Sequence, residues 1–559
     1  MTPIHPCKNG QNPVYYIRAA TNKLYCLAAR ILQEEVKNTS MPEQDTISMP
    51  EFTHSDTRIS ELLDFMHQIA DLQALGALAE WDQNTAMPGG ATEVRGFQLA
   101  ALQGVLHELW TNHRLGILLN ELRERVQQGS FSDADRGLVR EASRHYDRAA
   151  KLPRQLVEEI ARVQATSFEA WRSAKEHSDF ARFAPMLTRT IALQREVADR
   201  LGYTETRYDA LLNEYEPGMT VSTIDRLFAP VREASTSLLH RIEASGNTID
   251  ASCLQGEFAV EKQLALCDRL LHAMGYDFSR GQMAQSPHPF TTSFTSPYDV
   301  RVTVRPLVNF LQASLMAAIH EGGHAVYEQG SSPTIARTPV AGGASMGTHE
   351  SQSRLWENAI GRSEPYWQGQ FAAVKEEFPY QFARVDITTF VRALNKVRPS
   401  LIRVEADEVT YNLHIIVRYE LEKAMVNGDV AVETLPALWN AKYREYLGIE
   451  PTNDAEGVLQ DIHWSSGFGY FPTYTLGNLY AAQIFHKLRA VFPDFDQRLA
   501  SGDTSFMLDW LRDHMYKFGA IYLPAELIER VTDEPPTPQY FTRYLNAKFE
   551  KIYGLPQTG

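Results

Sequence analysis

His320-Glu321-Gly322-Gly323-His324 sets two histidines four residues apart with an acid between them. On a helix, positions i and i+4 share a face, so both imidazoles can hold one ion while the carboxylate reaches a water bound to it. This is the spacing of a zinc hydrolase, with His320 and His324 as ligands and Glu321 as general base. Cobalt is an alternative occupant, because affinity order and availability choose between such ions. A catalytic zinc also needs a third protein ligand and an open position. The longer pattern HExxHxxGxxH would place a histidine at 330, where the chain has Gly330. Glu350 is the stronger candidate for the third ligand and His349 its rival. Glu350 would lie on one helical face with Arg354 and Glu357, which then form an outer shell.

These residues need elements to hold them. The apolar run over residues 307–319 leads into the motif and suits a buried helix. Two adjacent glycines weaken that helix by roughly 1 kcal/mol each relative to alanine, which implies that something approaches closely. Thr348 would cap a new helix carrying Glu350. From Thr57 onward the pattern is helical, starting with Ile59, Leu62, Leu63, Met66 and Ile69 at three- and four-residue spacing. Similar amphipathic runs span 156–201, 254–274 and 401–425. The strand candidates are 300–304 and 338–341, so the expected fold is all-α with at most a small β element near the site. Turn-rich breaks at 87–90, 216–218, 286–297, 331–347 and 465–472 include no long linker, which predicts one helical body over 55–559. Residues 1–54 read as a poorly ordered extension. Its first 33 residues carry Lys8, Arg18, Lys23 and Arg30 but no acid, and Met41 and Met49 are alternative starts.

Composition narrows the class. With 44% hydrophobic and 22% charged residues among 559, the chain reads as globular. A formal charge of -15 argues against general affinity for nucleic acid or anionic membrane. No run of about 18 apolar residues suggests a spanning helix. Four scattered cysteines fit neither a disulfide scaffold nor a zinc ribbon, which favours a reducing, cytoplasmic location.

Several further motifs stand together: Glu80-Trp81-Asp82-Gln83, Tyr215-Glu216-Pro217-Gly218, His288-Pro289-Phe290, Asp299-Val300-Arg301-Val302-Thr303, His349-Glu350-Ser351-Gln352, Ile402-Arg403-Val404-Glu405-Ala406-Asp407 and the stretch from Gly457 to Trp464. With HExxH they make the chain closely resemble the carboxypeptidase Taq type of thermostable metallocarboxypeptidase, from about Ser60 to Leu555. The resemblance implies a helical, zincin-like fold with a deep groove, usually a homodimer, that acts on peptides and removes single residues from free C-termini. It implies that His320, His324 and Glu350 bind zinc, one ion per chain, and that Glu321 is the base. Arg301 and Arg403 match the arginines thought to receive the substrate's terminal carboxylate. Guanidinium suits that task as a permanently charged, bidentate receptor. Arg403 would share a helix with Asp407, Tyr411 and His414, and an Arg403–Asp407 salt bridge is the structural alternative. His463, Tyr411 or Tyr474 could serve the transition state, with Asp461 beside them, and His288 is either a substrate contact or a loop brace. A helical zinc oligopeptidase or dipeptidyl carboxypeptidase is the rival enzyme, and a metal-free helical binding protein the rival from another class.

Overall fold

A computed structural model describes residues 48–129 and 131–557. The expected extension over residues 1–54 therefore lies outside the described residues as far as residue 47. At its far end Phe52 is buried, and the Thr53 amide donates to Asp135 Oδ1 (2.9 Å). Helices dominate the chain from Thr57 onward. Helix α1 (Thr57–Thr85) starts at Asp56, whose carboxylate accepts from the Arg58 amide, and buries Ile59, Leu62, Leu63, Met66 and Ile69 on one stripe. Each such side chain contributes roughly 1.5–3 kcal/mol when fully buried.

The one sheet among the described residues has the order β1-β3-β2, from β1 (Met283–Gln285), β2 (Thr291–Ser293) and β3 (Val300–Val304). β1 runs parallel to β3, pairing Met283 with Val302, while β2 runs antiparallel, pairing Thr291 with Val302. β3 is the strand expected from its valines. Residues 338–341, the second candidate, instead form a turn closed by the Ala341 amide on the Thr338 carbonyl (3.1 Å). Pro339 lacks the N–H that a sheet ladder would need.

Behind β3 lies α2 (Leu311–Gln329), which carries HExxH and buries Leu311, Leu315, Ile319 and Val326. α3 (Met346–Arg354) packs on it and continues into a wide π turn over Leu355–Ile360. α4 (Tyr411–Asn427) and α5 (Pro472–Val491) complete the surroundings, α5 lying along α3. Two glycines set these approaches. A Cβ on Gly323 would stand 2.6 Å from the Gln352 carbonyl oxygen, and one on Gly477 would stand 2.5 Å from Glu350 Cγ. The close approach inferred for the glycine pair is thus α3 at Gly323, while a Cβ on Gly322 would meet the Met274 and Leu271 side chains at 2.7–2.8 Å.

The cap of α3 is Ser345, not Thr348. Ser345 Oγ accepts from the Thr348 amide (2.9 Å) and Thr348 Oγ1 accepts from the Ser345 amide (2.8 Å), a reciprocal box that uses Thr348 one turn inside the helix. The fully buried Glu216 reinforces this end, accepting from the Gly347 amide (3.1 Å) and the Tyr480 hydroxyl (2.8 Å).

Burial pushes the Glu216 carboxyl up to about 7 from 4.5. The folded protein therefore keeps a proton that the unfolded chain releases between about pH 4.5 and 7, so stability present below that window is lost across it. Glu216→Gln is expected to remove this loss. Unfolding in urea at pH 5 and pH 8 should show the variant gaining on the wild type with rising pH, by about 3 kcal/mol at most.

Candidate metal centre and active site

Imidazole nitrogens of His320 and His324 and a carboxylate oxygen of Glu350 lie within 4.8 Å of one another, joining α2 to α3. Nε2 of each histidine is 3.6 Å from Glu350 Oε2. Donors held about 2.0–2.1 Å from a tetrahedral ion are separated by about 3.4 Å, so the three atoms fit one zinc-sized ion. Glu350 Oε1 accepts from Arg354 Nε (2.6 Å), while Oε2, which also accepts from Ser353 Oγ (3.0 Å), is the oxygen turned to the two imidazoles.

An outer layer orients the donors. His320 Nδ1 is 2.9 Å from Glu357 Oε2, and since an ionised carboxylate only accepts, Nδ1 carries a proton and Nε2 is the nitrogen turned to the ion. Against the opposing effect of burial, Glu350 and Glu357 raise the His320 pKa, so a bound cation would take the place of a proton there. Glu357 also receives Arg354 Nη1 (3.2 Å) and Arg362 Nη2 (2.9 Å). Burial opposes its ionisation, but these arginines and His320 hold the carboxyl far below its ordinary range. Burial, with His349 and His320 beside it, holds His324 well below the usual imidazole value and so neutral, as a ligand must be. His349 touches this layer rather than the ion site, with Nδ1 2.6 Å from His324 Nδ1 and Nε2 2.7 Å from Glu328 Oε1. The carboxylates of Glu321, Glu328, Glu350 and Glu357 outnumber the guanidiniums of Arg354 and Arg362, an excess of negative charge that suits a divalent cation.

Glu321 is buried on α2 beside the donors and accepts from Thr291 Oγ1 (2.7 Å) on β2. Burial raises its pKa, with His320 and the Thr291 hydroxyl opposing the rise.

Beyond Arg354 the cluster continues into an aromatic and basic wall. The Arg354 guanidinium lies 4.3 Å from the Tyr411 ring centre, and Arg403 Nη1 is 3.5 Å from the Tyr411 hydroxyl. Arg403 is not on a helix with Asp407 and Tyr411. It sits in a short 3-10 turn, while Asp407 accepts from the Val409 and Thr410 amides and so organises the entry to α4. Arg403 pairs instead with Asp461 through Nε and Nη2 (3.0 and 2.8 Å), and Arg418 binds the other oxygen of that carboxylate. Tyr474 lies 5.3 Å from the Arg403 guanidinium, and Tyr470 packs on Tyr474. His463 packs on Phe471 with the rings tilted by 37°, and burial lowers its pKa to about 4, keeping it neutral. Burial keeps the Tyr411, Tyr470 and Tyr474 hydroxyls protonated, as donors.

Arg301 is placed differently. It alternates with Val300 and Val302 along β3 and so leaves the opposite face of the strand from the side packed on α2. Its guanidinium meets Asp299 bidentately (2.8 and 2.8 Å) and lies over Trp81 and Phe294. His288 is exposed, and its main-chain carbonyl accepts from Ser286 Oγ (2.6 Å). Thr291, Glu328, Arg362 and Arg418 belong to the site but carry no sequence signal, because each is fixed by a partner on another element.

A helical scaffold that presents a half-buried His-His-Glu set with a buried carboxylate beside it defines a metallohydrolase. The carboxypeptidase Taq (M32) metallopeptidase family model matches residues 61–549, and the chain belongs to that family. It is 43% identical over 505 residues to thermostable carboxypeptidase 1 of Thermus thermophilus, covering 88% of this chain and 98% of the relative. It is 39% identical over 496 residues to carboxypeptidase 1 of Bacillus subtilis, covering 89% and 98%. The crystal structure of the M32 carboxypeptidase of Deinococcus radiodurans superposes with a TM-score of 0.86 at 37% identity, covering 89% of this chain and all 100% of that one. The protein is thus a metallocarboxypeptidase. No helix among the described residues is long and apolar enough to cross a membrane.

Proposed function

We propose that this chain is a zinc carboxypeptidase that hydrolyses the last peptide bond of peptides with a free C-terminus, releasing single amino acids with broad specificity. The observation that carries this reading is the path from the donors to a buried guanidinium, running from Glu350 to Arg354, across the Tyr411 ring and on to Arg403. Arg403 and Arg418 share the single carboxylate of Asp461, so the trio keeps positive charge for a substrate carboxylate. Arg301 is the second candidate receptor.

His320, His324 and Glu350 would hold one zinc per chain, and cobalt suits the same donors. When bound, the ion lowers the pKa of a water to about 7 and polarises the scissile carbonyl. Glu321 takes the proton of the attacking water and returns it to the leaving amine, its burial keeping it basic enough for the task. The hydroxyls of Tyr411, Tyr470 and Tyr474 and the neutral His463 are the donors available to a developing oxyanion, worth about 3–4 kcal/mol when one is well placed. Residues 55–559 form the catalytic domain in this reading, and the enzyme works as a cytoplasmic homodimer on peptides.

The test pairs an N-blocked peptide bearing a free C-terminus with its C-amidated twin, each followed by mass with and without 1,10-phenanthroline. A ladder of single-residue losses from the free acid alone, stopped by chelator and restored by zinc, is expected. Equal cleavage of both peptides would remove the carboxylate-recognition reading.

A further inference from the structure

We propose that Glu328 and His349 form a positioning relay that fixes the tautomer of His324 and thereby the affinity of the metal centre, an inference that rests on His320, His324 and Glu350 being the metal ligands.

The argument starts from two nitrogens that face each other. His324 Nδ1 and His349 Nδ1 are 2.6 Å apart. Two bare nitrogens at that distance repel, and so do two protonated ones, so a single proton lies between them. Which ring owns it is decided at the far side of His349. Nε2 of His349 is 2.7 Å from Glu328 Oε1, and Glu328 is itself held as a carboxylate. A carboxylate only accepts, so Nε2 of His349 carries a proton and donates. With the Nε2 proton of His349 committed to Glu328, its Nδ1 is the nitrogen that can accept, which assigns the shared proton to Nδ1 of His324. The lone pair of His324 is left on Nε2, the nitrogen 3.6 Å from Glu350 Oε2. The reverse order would put a proton on the nitrogen that must bind the ion.

The surroundings hold this order in place. Glu328 follows His324 by one helical turn on α2, while His349 precedes Glu350 on α3, so the relay spans the same two helices as the donor set. The loop at Gly342 and Gly343 closes over it. A Cβ on Gly343 would stand 2.8 Å from His349 Cδ2, and a Cβ on Gly342 3.2 Å from Glu328 Oε1. The Gly343 amide and the Ser293 side chain add hydrogen bonds to the Glu328 carboxylate. His320 receives its orientation from Glu357 directly, a carboxylate braced by two arginines. The two histidine ligands thus have unlike supports, one a direct anion and the other an imidazole with an anion behind it.

The experiment uses the full-length protein stripped of metal and titrated with zinc against a chromogenic chelator, with the visible spectrum of the cobalt-loaded protein and the melting temperature of the metal-free protein as parallel readouts. His349→Phe is expected to weaken zinc binding by about 10- to 100-fold, the usual effect of losing an outer partner of a ligand, and to change the cobalt bands. Its metal-free melting temperature should stay near that of the wild type. His349→Asn keeps an acceptor oxygen facing His324 and is expected to recover most of the affinity. Glu328→Gln, whose amide can present a donor to His349 and so reverse the order of protons, is expected to weaken zinc binding at least as much as His349→Phe.

Wild-type affinity in His349→Phe, or an Asn variant no better than Phe, overturns the relay alone. So does an affinity loss matched by lower metal-free melting across the set, which marks a packing role. A wild type that binds no stoichiometric zinc overturns the metal-site reading and the relay with it.

Discussion

Glu321→Gln is expected to lower kcat by about 10²- to 10⁴-fold while zinc stoichiometry, measured by atomic absorption, stays at the wild-type value. Glutamine is isosteric and can still accept from Thr291 Oγ1, so the packing of α2 on β2 survives. Glu321 is also absent from the donor set of His320, His324 and Glu350. The substitution removes only the capacity to take up and return a proton. A variant with near-normal turnover would rule out Glu321 as the base, and one that lost the metal would move it from chemistry to site construction.

Arg403→Met is expected to cost on the order of 10²- to 10³-fold in kcat/KM on a peptide with a free C-terminus, equivalent to about 3–4 kcal/mol, and to leave the slow cleavage of a C-amidated peptide unchanged. Removing one member of a buried ion pair normally strands the other charge. Here Asp461 keeps Arg418, so the metal-free melting temperature should fall little. Arg301→Met, assayed beside it, separates the two receptors: a comparable loss assigns the carboxylate to both arginines, and a much smaller one to Arg403 alone. Equal losses on both peptides would show that Arg403 does not read the terminus.

Legibility followed sequence distance. HExxH is a local pattern because one helical turn brings His320 and His324 onto one face, and the α1 stripe from Ile59 to Ile69 is local for the same reason. Glu350, on a second helix, is favoured over His349 by its carboxylate and by Arg354 and Glu357 on its face, and the wider set of motifs adds weight to that preference. The partner of Arg403 was out of reach: the nearest acid along the chain, Asp407, binds main-chain amides, and the true partner lies 58 residues away. His349 was readable as a rival ligand but not as a support, because spacing does not say which ring nitrogen faces what. Strands β1 and β2, three residues each, are too short for any alternation to register. The turn at 338–341 misled because an apolar run reads as extended until the missing N–H of Pro339 is weighed.

The wide turn at Leu355–Ile360 is, in the backbone, a one-residue insertion into a helix. The Gly361 amide reaches back five residues to the Trp356 carbonyl (2.7 Å) rather than four, and Lys548 Nζ donates to the Asn358 carbonyl (3.0 Å). Each residue advances a regular helix by about 100°. Were one residue deleted there, every later side chain would swing through that angle about the axis while Arg354, upstream, kept its place. Arg362, which braces the Glu357 that holds His320, lies beyond that extra residue, so the phase between the metal centre and its outermost support is stored as a length.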